Sequence, residues 1–168
     1  MLLNSRRSFL KTAIFGSVIF GGAVLIMSGA TVFGAVAPMQ TMALVQEDLF
    51  PHAKSLGIET EAYLALILNH SKVTPKEKSF LRNGVQWLNE EAVAMHKKMY
   101  SSLSENERQA VLKSIAKYKW GEKWIDKMLT YIMEATFSDT VYGVCKNSAG
   151  EAWLEFETGY PRPKEAYL

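Results

Sequence analysis

Apolar positions along the body of this chain recur at a helical period. Tyr63, Leu64, Ile67 and Leu68 are spaced so that they fall on one face of a helix. Phe80, Leu81, Val85, Leu88 and Ala92 do the same, as do Val111, Leu112 and Ile115, and then Trp124, Ile125, Met128, Leu129 and Ile132. Punctuation residues set the limits. A first helical segment over 41–50 stops at Pro51, and a second starts near Glu59. Thr74, Pro75 and Glu77 read as N-cap, first helical position and capping-box glutamate of a third, which runs to about Tyr100. Gly84 within it marks a close approach. Ser104 and Glu107 repeat the capping box for a fourth helix, and a fifth runs from about Glu122. No alternating run of useful length suggests a strand, and the connections are short. The pattern predicts an all-α fold, a small helical bundle over residues 38–136.

The N-terminus follows a different rule. Arg6, Arg7 and Lys11 are the only charged residues before Glu47, and residues 12–46 form an uncharged stretch of 35. Its first part, 12–27, is apolar with Gly16, Gly21 and Gly22 interspersed. A basic start followed by an apolar run is the layout of an export signal. Ser5-Arg6-Arg7-Ser8-Phe9-Leu10-Lys11 matches the twin-arginine consensus S-R-R-x-F-L-K. Ser28-Gly29-Ala30 and Ala35-Val36-Ala37 both offer small-x-small cleavage sites, with Pro38 disfavouring the second. The apolar run is also long enough to remain as an anchor, since about 20 residues span a bilayer. Residues 1–37 are therefore read as a signal peptide or an uncleaved anchor, and the destination as the periplasm, at the inner membrane.

Charge and candidate chemistry narrow the body further. The formal net charge is +2, but without the three N-terminal cations the balance is 16 basic against 17 acidic residues. That leaves no electrostatic footprint for nucleic acid. Cys145 is the only cysteine, so an internal disulfide, a C-x-x-C-H haem attachment and a multi-cysteine metal site are all excluded. There is no G-x-G-x-x-G after a strand and no phosphate loop. His52, His70 and His96 stand apart, with neither H-E-x-x-H nor paired Glu-x-x-His. Glu90-Glu91 and Glu105/Glu107 read as solvated faces or a helix start. No catalytic, cofactor-binding or metal-binding residue is assigned to this chain. The twin-arginine route carries folded proteins, commonly ones loaded with a cofactor. A signal of that kind ahead of a body with no cofactor site suggests that the cofactor belongs to a partner.

Composition changes again over 137–168, an irregular tail rich in aromatic residues, glycine and proline. It is too aromatic to be disordered, so it packs on the bundle, on a partner, or on both. Asp139 is placed to accept from following backbone amides in an Asx turn that fixes Tyr142. Gly143 and Gly159 suit backbone geometry barred to other residues. Asp139, Tyr142, Trp153 and Tyr160 are the partner-contact candidates, with self-packing as the alternative for each. Trp120 and Trp124 belong to the core stripe, and His52 to a surface loop.

The chain resembles the small subunit, subunit 3, of membrane-associated gluconate 2-dehydrogenases and related sugar dehydrogenases. The resemblance rests on the twin-arginine signal, on Asp48-Leu49-Phe50-Pro51, and on a tail similar to F-S-D-P-x-Y-G-G-N, G-W and G-x-P. The corresponding residues are Phe137-Ser138-Asp139-Thr140-Val141-Tyr142-Gly143-Val144, then Asn147, Gly150, Trp153 and Gly159-Tyr160-Pro161. Thr140 replaces the family's proline, and Glu151-Ala152 separates Gly150 from Trp153. The resemblance implies an accessory subunit without a cofactor. Its catalytic partner would be a glucose–methanol–choline-type flavoprotein holding FAD. A multihaem cytochrome c subunit with haem c is a possible third component, and the twin-arginine translocase is the export partner. The alternatives are a free-standing periplasmic enzyme or ligand-binding protein, or a membrane tether for a complex.

Overall fold

The computed structural model describes residues 38–157 and 159–166. The export motif Ser5, Arg6, Arg7, Phe9, Leu10 and Lys11, both cleavage sites and the apolar run lie outside them. The described residues form an all-α fold without strands. Its elements are α1 (Pro38–Leu49), α2 (His52–Ser55), α3 (Thr60–Asn69), α4 (Pro75–His96), α5 (Glu105–Ile115), α6 (Lys119–Thr136) and α7 (Ala149–Trp153). Short 3-10 turns lie at Tyr100–Ser102, Thr140–Tyr142 and Lys146–Ser148. Several limits differ from the sequence reading. The first helix starts three residues earlier, and the fifth predicted helix starts at Lys119. The third predicted helix stops at His96 because Lys97 takes a left-handed φ of 61°. The tail also contains a short helix, α7, which its composition did not signal.

Helix starts follow local chemistry. Thr74 Oγ1 accepts from the Glu77 N–H at 3.2 Å, and Pro75 occupies the first turn, where its missing N–H costs nothing. Ser104 N–H and Oγ both donate to Glu107 Oε2, at 2.8 and 2.9 Å, closing the capping box of α5. The box predicted at Thr74 is only half made. The Glu77 carboxylate turns away to Lys127 Nζ at 2.8 Å and accepts from Tyr131 OH at 2.6 Å, tying α4 to α6. Two partners on another helix offer that carboxylate more than one backbone amide does.

The core is built around α1, which packs against α3, α4, α5 and α6 although it is only 12 residues long. It contributes Met42 and Val45 to a cluster with Leu64, Leu81, Val85, Leu88, Ile115, Trp124 and Met128. Trp124 is fully buried and donates from Nε1 to the Leu81 carbonyl at 3.1 Å. That bond satisfies the one polar atom of the indole. Gly84 explains how the ring fits. A Cβ built on Gly84 would collide with the Trp124 indole. Trp120 is half-buried beside this cluster and packs against it, edge-on to Trp87 at 5.1 Å and stacked with Tyr118 at 6.3 Å.

Asp48 locks α1 in place. Its side chain is 4 % exposed and accepts from Arg108 Nε and Nη2 at 2.7 and 2.8 Å and from Tyr100 OH at 2.6 Å. Gln109 Nε2 donates to the Asp48 backbone carbonyl at 2.9 Å, and Arg108 Nη1 to the Leu103 carbonyl at 3.0 Å. Burial and the Asp48 hydrogen bond raise the Tyr100 phenol above its ordinary value, and the Asp48 hydrogen bond raises that of the Arg108 guanidinium. Both groups stay protonated as donors.

Two substitutions test this packing. Gly84→Ala should gain up to about 1 kcal/mol from helix propensity alone. The clash with Trp124 should instead produce a net loss of about 1–3 kcal/mol in urea unfolding. Asp48→Ala strands a largely buried guanidinium and should cost about 3–5 kcal/mol, with Asp48→Ala/Arg108→Met recovering part of it in the same assay.

Candidate functional site

The bundle leads into the tail at the end of α6, where Thr136 meets Gly150 so closely that a Cβ on Gly150 would collide with the Thr136 carbonyl. Between them the chain makes a compact excursion. Asp139 Oδ1 accepts from the Val141 N–H at 3.1 Å, the Asx turn read from the sequence. The Tyr142 N–H then donates to the Asp139 carbonyl at 3.1 Å, and Gly143 reverses the chain with a left-handed φ of 71°. A Cβ built on Gly159 would meet open space.

The reversal seats Val144 and Cys145 in a second buried cluster with Ala53, Ile58 and Ala135, against which Phe50 and Tyr142 pack. Cys145 pairs with Ile58 in an isolated antiparallel bridge, and the Glu59 N–H donates to the Val144 carbonyl at 3.0 Å. Lys146 Nζ reaches Glu59 Oε1 at 2.6 Å on the surface. The free thiol of Cys145 is thus a small apolar group in a satellite core.

Arg162 returns the end of the chain to this unit. Its Nη1 donates to Asp139 Oδ2 at 3.2 Å and its Nη2 to Glu151 Oε2, so one guanidinium bridges the Asx turn and α7. The Val141 N–H, followed by Arg162, holds the Asp139 carboxyl below its ordinary value. Beyond α7 the chain turns through a Schellman cap. Glu155 N–H donates to the Ala152 carbonyl at 3.1 Å and Phe156 N–H to the Glu151 carbonyl at 3.0 Å. Glycine usually occupies the left-handed position of such a cap, but here it is Glu155 at φ 53°. A side chain there costs about 1–2 kcal/mol. The apolar contact that commonly accompanies the cap is also missing, because Phe156 points outward and is 60 % exposed.

The four tail candidates therefore divide. Asp139 and half-buried Tyr142 hold the turn from within. Trp153 leans on Phe50, ring centres 5.6 Å apart, and remains 46 % exposed, while Tyr160 is 86 % exposed. Leu154 and Phe156 join them on the surface. Sequence reasoning missed Arg162, Glu151 and Phe156. Arg162, lying between Pro161 and Pro163, was the available signal for a charge held in place.

The histidines stay apart. His52 is exposed, His70 Nδ1 accepts from the Lys72 N–H at 3.0 Å, and His96 lies 3.7 Å from Glu107. Glu90 accepts from Gln86 at 2.9 Å and Glu91 from Ser114 at 2.7 Å. Among the described residues no group of three or more His, Cys, Asp or Glu could hold a metal ion, and no helix is long and apolar enough to cross a membrane.

These features define a small helical protein whose irregular end is clamped to its core and displays aromatic side chains outward. Residues 37–158 match the family described as gluconate 2-dehydrogenase subunit 3, and the chain belongs to that family. No curated protein and no solved structure matches it.

The clamp has a pH signature. Asp139 and Glu77 both have depressed carboxyl values in the fold, so their stabilisation is complete above the ordinary carboxylate range and is lost as pH falls through and below it. Asp139→Asn keeps an acceptor for Val141 but loses the charge facing Arg162. It should lower the urea midpoint near neutrality and narrow the difference from the midpoint at about pH 3.5 relative to the unaltered protein.

Proposed function

We propose that this chain is the non-catalytic accessory subunit of a periplasmic, FAD-dependent gluconate or sugar dehydrogenase, and that it supports maturation and twin-arginine export of the catalytic flavoprotein. The observation that carries this reading is a conjunction within one chain. The leader Ser5-Arg6-Arg7-Ser8-Phe9-Leu10-Lys11 stands directly ahead of a domain belonging to a dehydrogenase subunit family. A signal for folded export on a subunit suits a protein that leaves the cytoplasm together with its partner.

The partner is a glucose–methanol–choline-type large subunit with FAD. Where a multihaem cytochrome c takes part, its haem c is carried by that third chain. Covalent attachment of haem c uses a pair of cysteines, and this chain has only Cys145, which is buried. The complex resides in the periplasm at the inner membrane. In this arrangement the bundle is a scaffold and the tail is the part that meets the flavoprotein, with Trp153 and Tyr160 as anchors of the type enriched at protein interfaces.

Arg6→Lys/Arg7→Lys should leave the flavoprotein in the cytoplasm, and deleting the gene should leave it there or degraded. Fractionation followed by dehydrogenase assay of periplasm and cytoplasm measures both. Full periplasmic activity in either strain would remove the export role. Purification of this chain alone with its own bound chromophore or turnover would shift the reading to a free-standing enzyme.

A further inference from the structure

The outward face of the tail has a chemistry of its own. From 147 to 161 the chain carries Glu151, Glu155 and Glu157 and no Lys or Arg. Interleaved with them are Trp153, Leu154, Phe156 and Tyr160, exposed at 46, 54, 60 and 86 %. Glu155, Phe156, Glu157 and Tyr160 line an open groove of about 480 Å³ together with Asn147 and Arg162. Phe156 follows the left-handed Glu155 of the Schellman cap and is flanked in sequence by Glu155 and Glu157. Left-handed non-glycine residues persist where the surrounding structure holds them, and they cluster at binding sites.

We propose that this ridge and groove receive a cationic, apolar segment of the partner flavoprotein: a stretch in which Lys or Arg side chains meet Glu155 and Glu157 while apolar side chains cover Trp153, Phe156 and Tyr160. The proposal rests on the accessory-subunit reading and names the surface and the chemistry of its contact. Charge selects this occupant over two others. The groove sets Glu151, Glu155 and Glu157 against Arg162, whose guanidinium is already engaged by Asp139 and Glu151, so an anionic membrane surface would be repelled. A second copy docking through the same patch would set glutamates against glutamates, because a two-fold contact pairs a surface with itself. A cationic partner segment answers both the apolar exposure and the sign of the rim.

A photo-crosslinking amino acid placed at Phe156 or Tyr160 of the full-length chain in cells, with Met95 and Tyr118 on the bundle as exposed controls, tests the surface. Crosslinks to the flavoprotein from the tail positions and not from the controls, through peptides containing Lys or Arg, are expected. Glu155→Lys/Glu157→Lys should reduce co-purified flavoprotein about tenfold at low salt, with Glu155→Gln/Glu157→Gln intermediate. Both variants alter exposed residues, and circular dichroism confirms that they fold. Crosslinking to the flavoprotein only from the controls, or undiminished capture by the charge-reversed chain, would overturn this surface and leave the subunit reading intact. Crosslinks from the tail to lipid or to a second copy alone would overturn it as well. If no position reaches a flavoprotein and the deletion strain keeps full periplasmic activity, both readings fall together.

Discussion

Asp48 sits at the point where the bundle and the tail depend on each other. Its carboxylate is buried at the C-terminal end of α1, where the helix dipole disfavours a negative charge. It is held there by three donors, two from Arg108 and one from Tyr100. Two residues later, Phe50 leaves the helix and packs both on the satellite cluster and under the Trp153 ring. The position of an exposed tryptophan is thus traceable through one aromatic contact to a buried ion pair. A single side chain at residue 48 fixes the end of α1, the start of α5 and the footing of the tail.

The distribution of polar contacts shows how a small all-α protein limits its alternatives. Most helix pairs are joined by apolar packing, which tolerates sliding and repacking. Directional bonds then fix the register at a few places. Glu77 with Lys127 and Tyr131 ties α4 to α6, Tyr63 OH to Glu134 at 3.0 Å ties α3 to α6, and Ser114 to Glu91 ties α5 to α4. Gly84 and Gly150 set two closest approaches by lacking a side chain.

What could be read from the sequence follows the range of the interaction. The helices, the Ser104 box, the Asx turn at Asp139 and the close packing at Gly84 all leave local marks, because periodicity and capping act over a few residues. The role of Asp48 leaves none, since Arg108 lies 60 residues away and any of the charged residues could have been its partner. The half-made box at Thr74 failed for the same reason, as Lys127 and Tyr131 compete from another helix for Glu77. In the tail, glycines and aromatics signalled turns and packing. Which aromatics face outward depended on the distant partners of Arg162 and on a cap at Glu155 that has no glycine to signal it.

The satellite cluster joins Ala53 and Ile58 to Val144 and Cys145, across nearly ninety positions of chain. During synthesis the central bundle has all its helices once residue 136 has emerged, while Ile58 still lacks its cover. Closure waits for the segment carrying Val144, and the Arg162 bridge waits longer still. The aromatic face is therefore the last part to be supplied, and until then Ala53 and Ile58 present an uncovered apolar edge. One stretch of chain, from Val144 to Arg162, thus both covers the satellite core and carries the outward ridge.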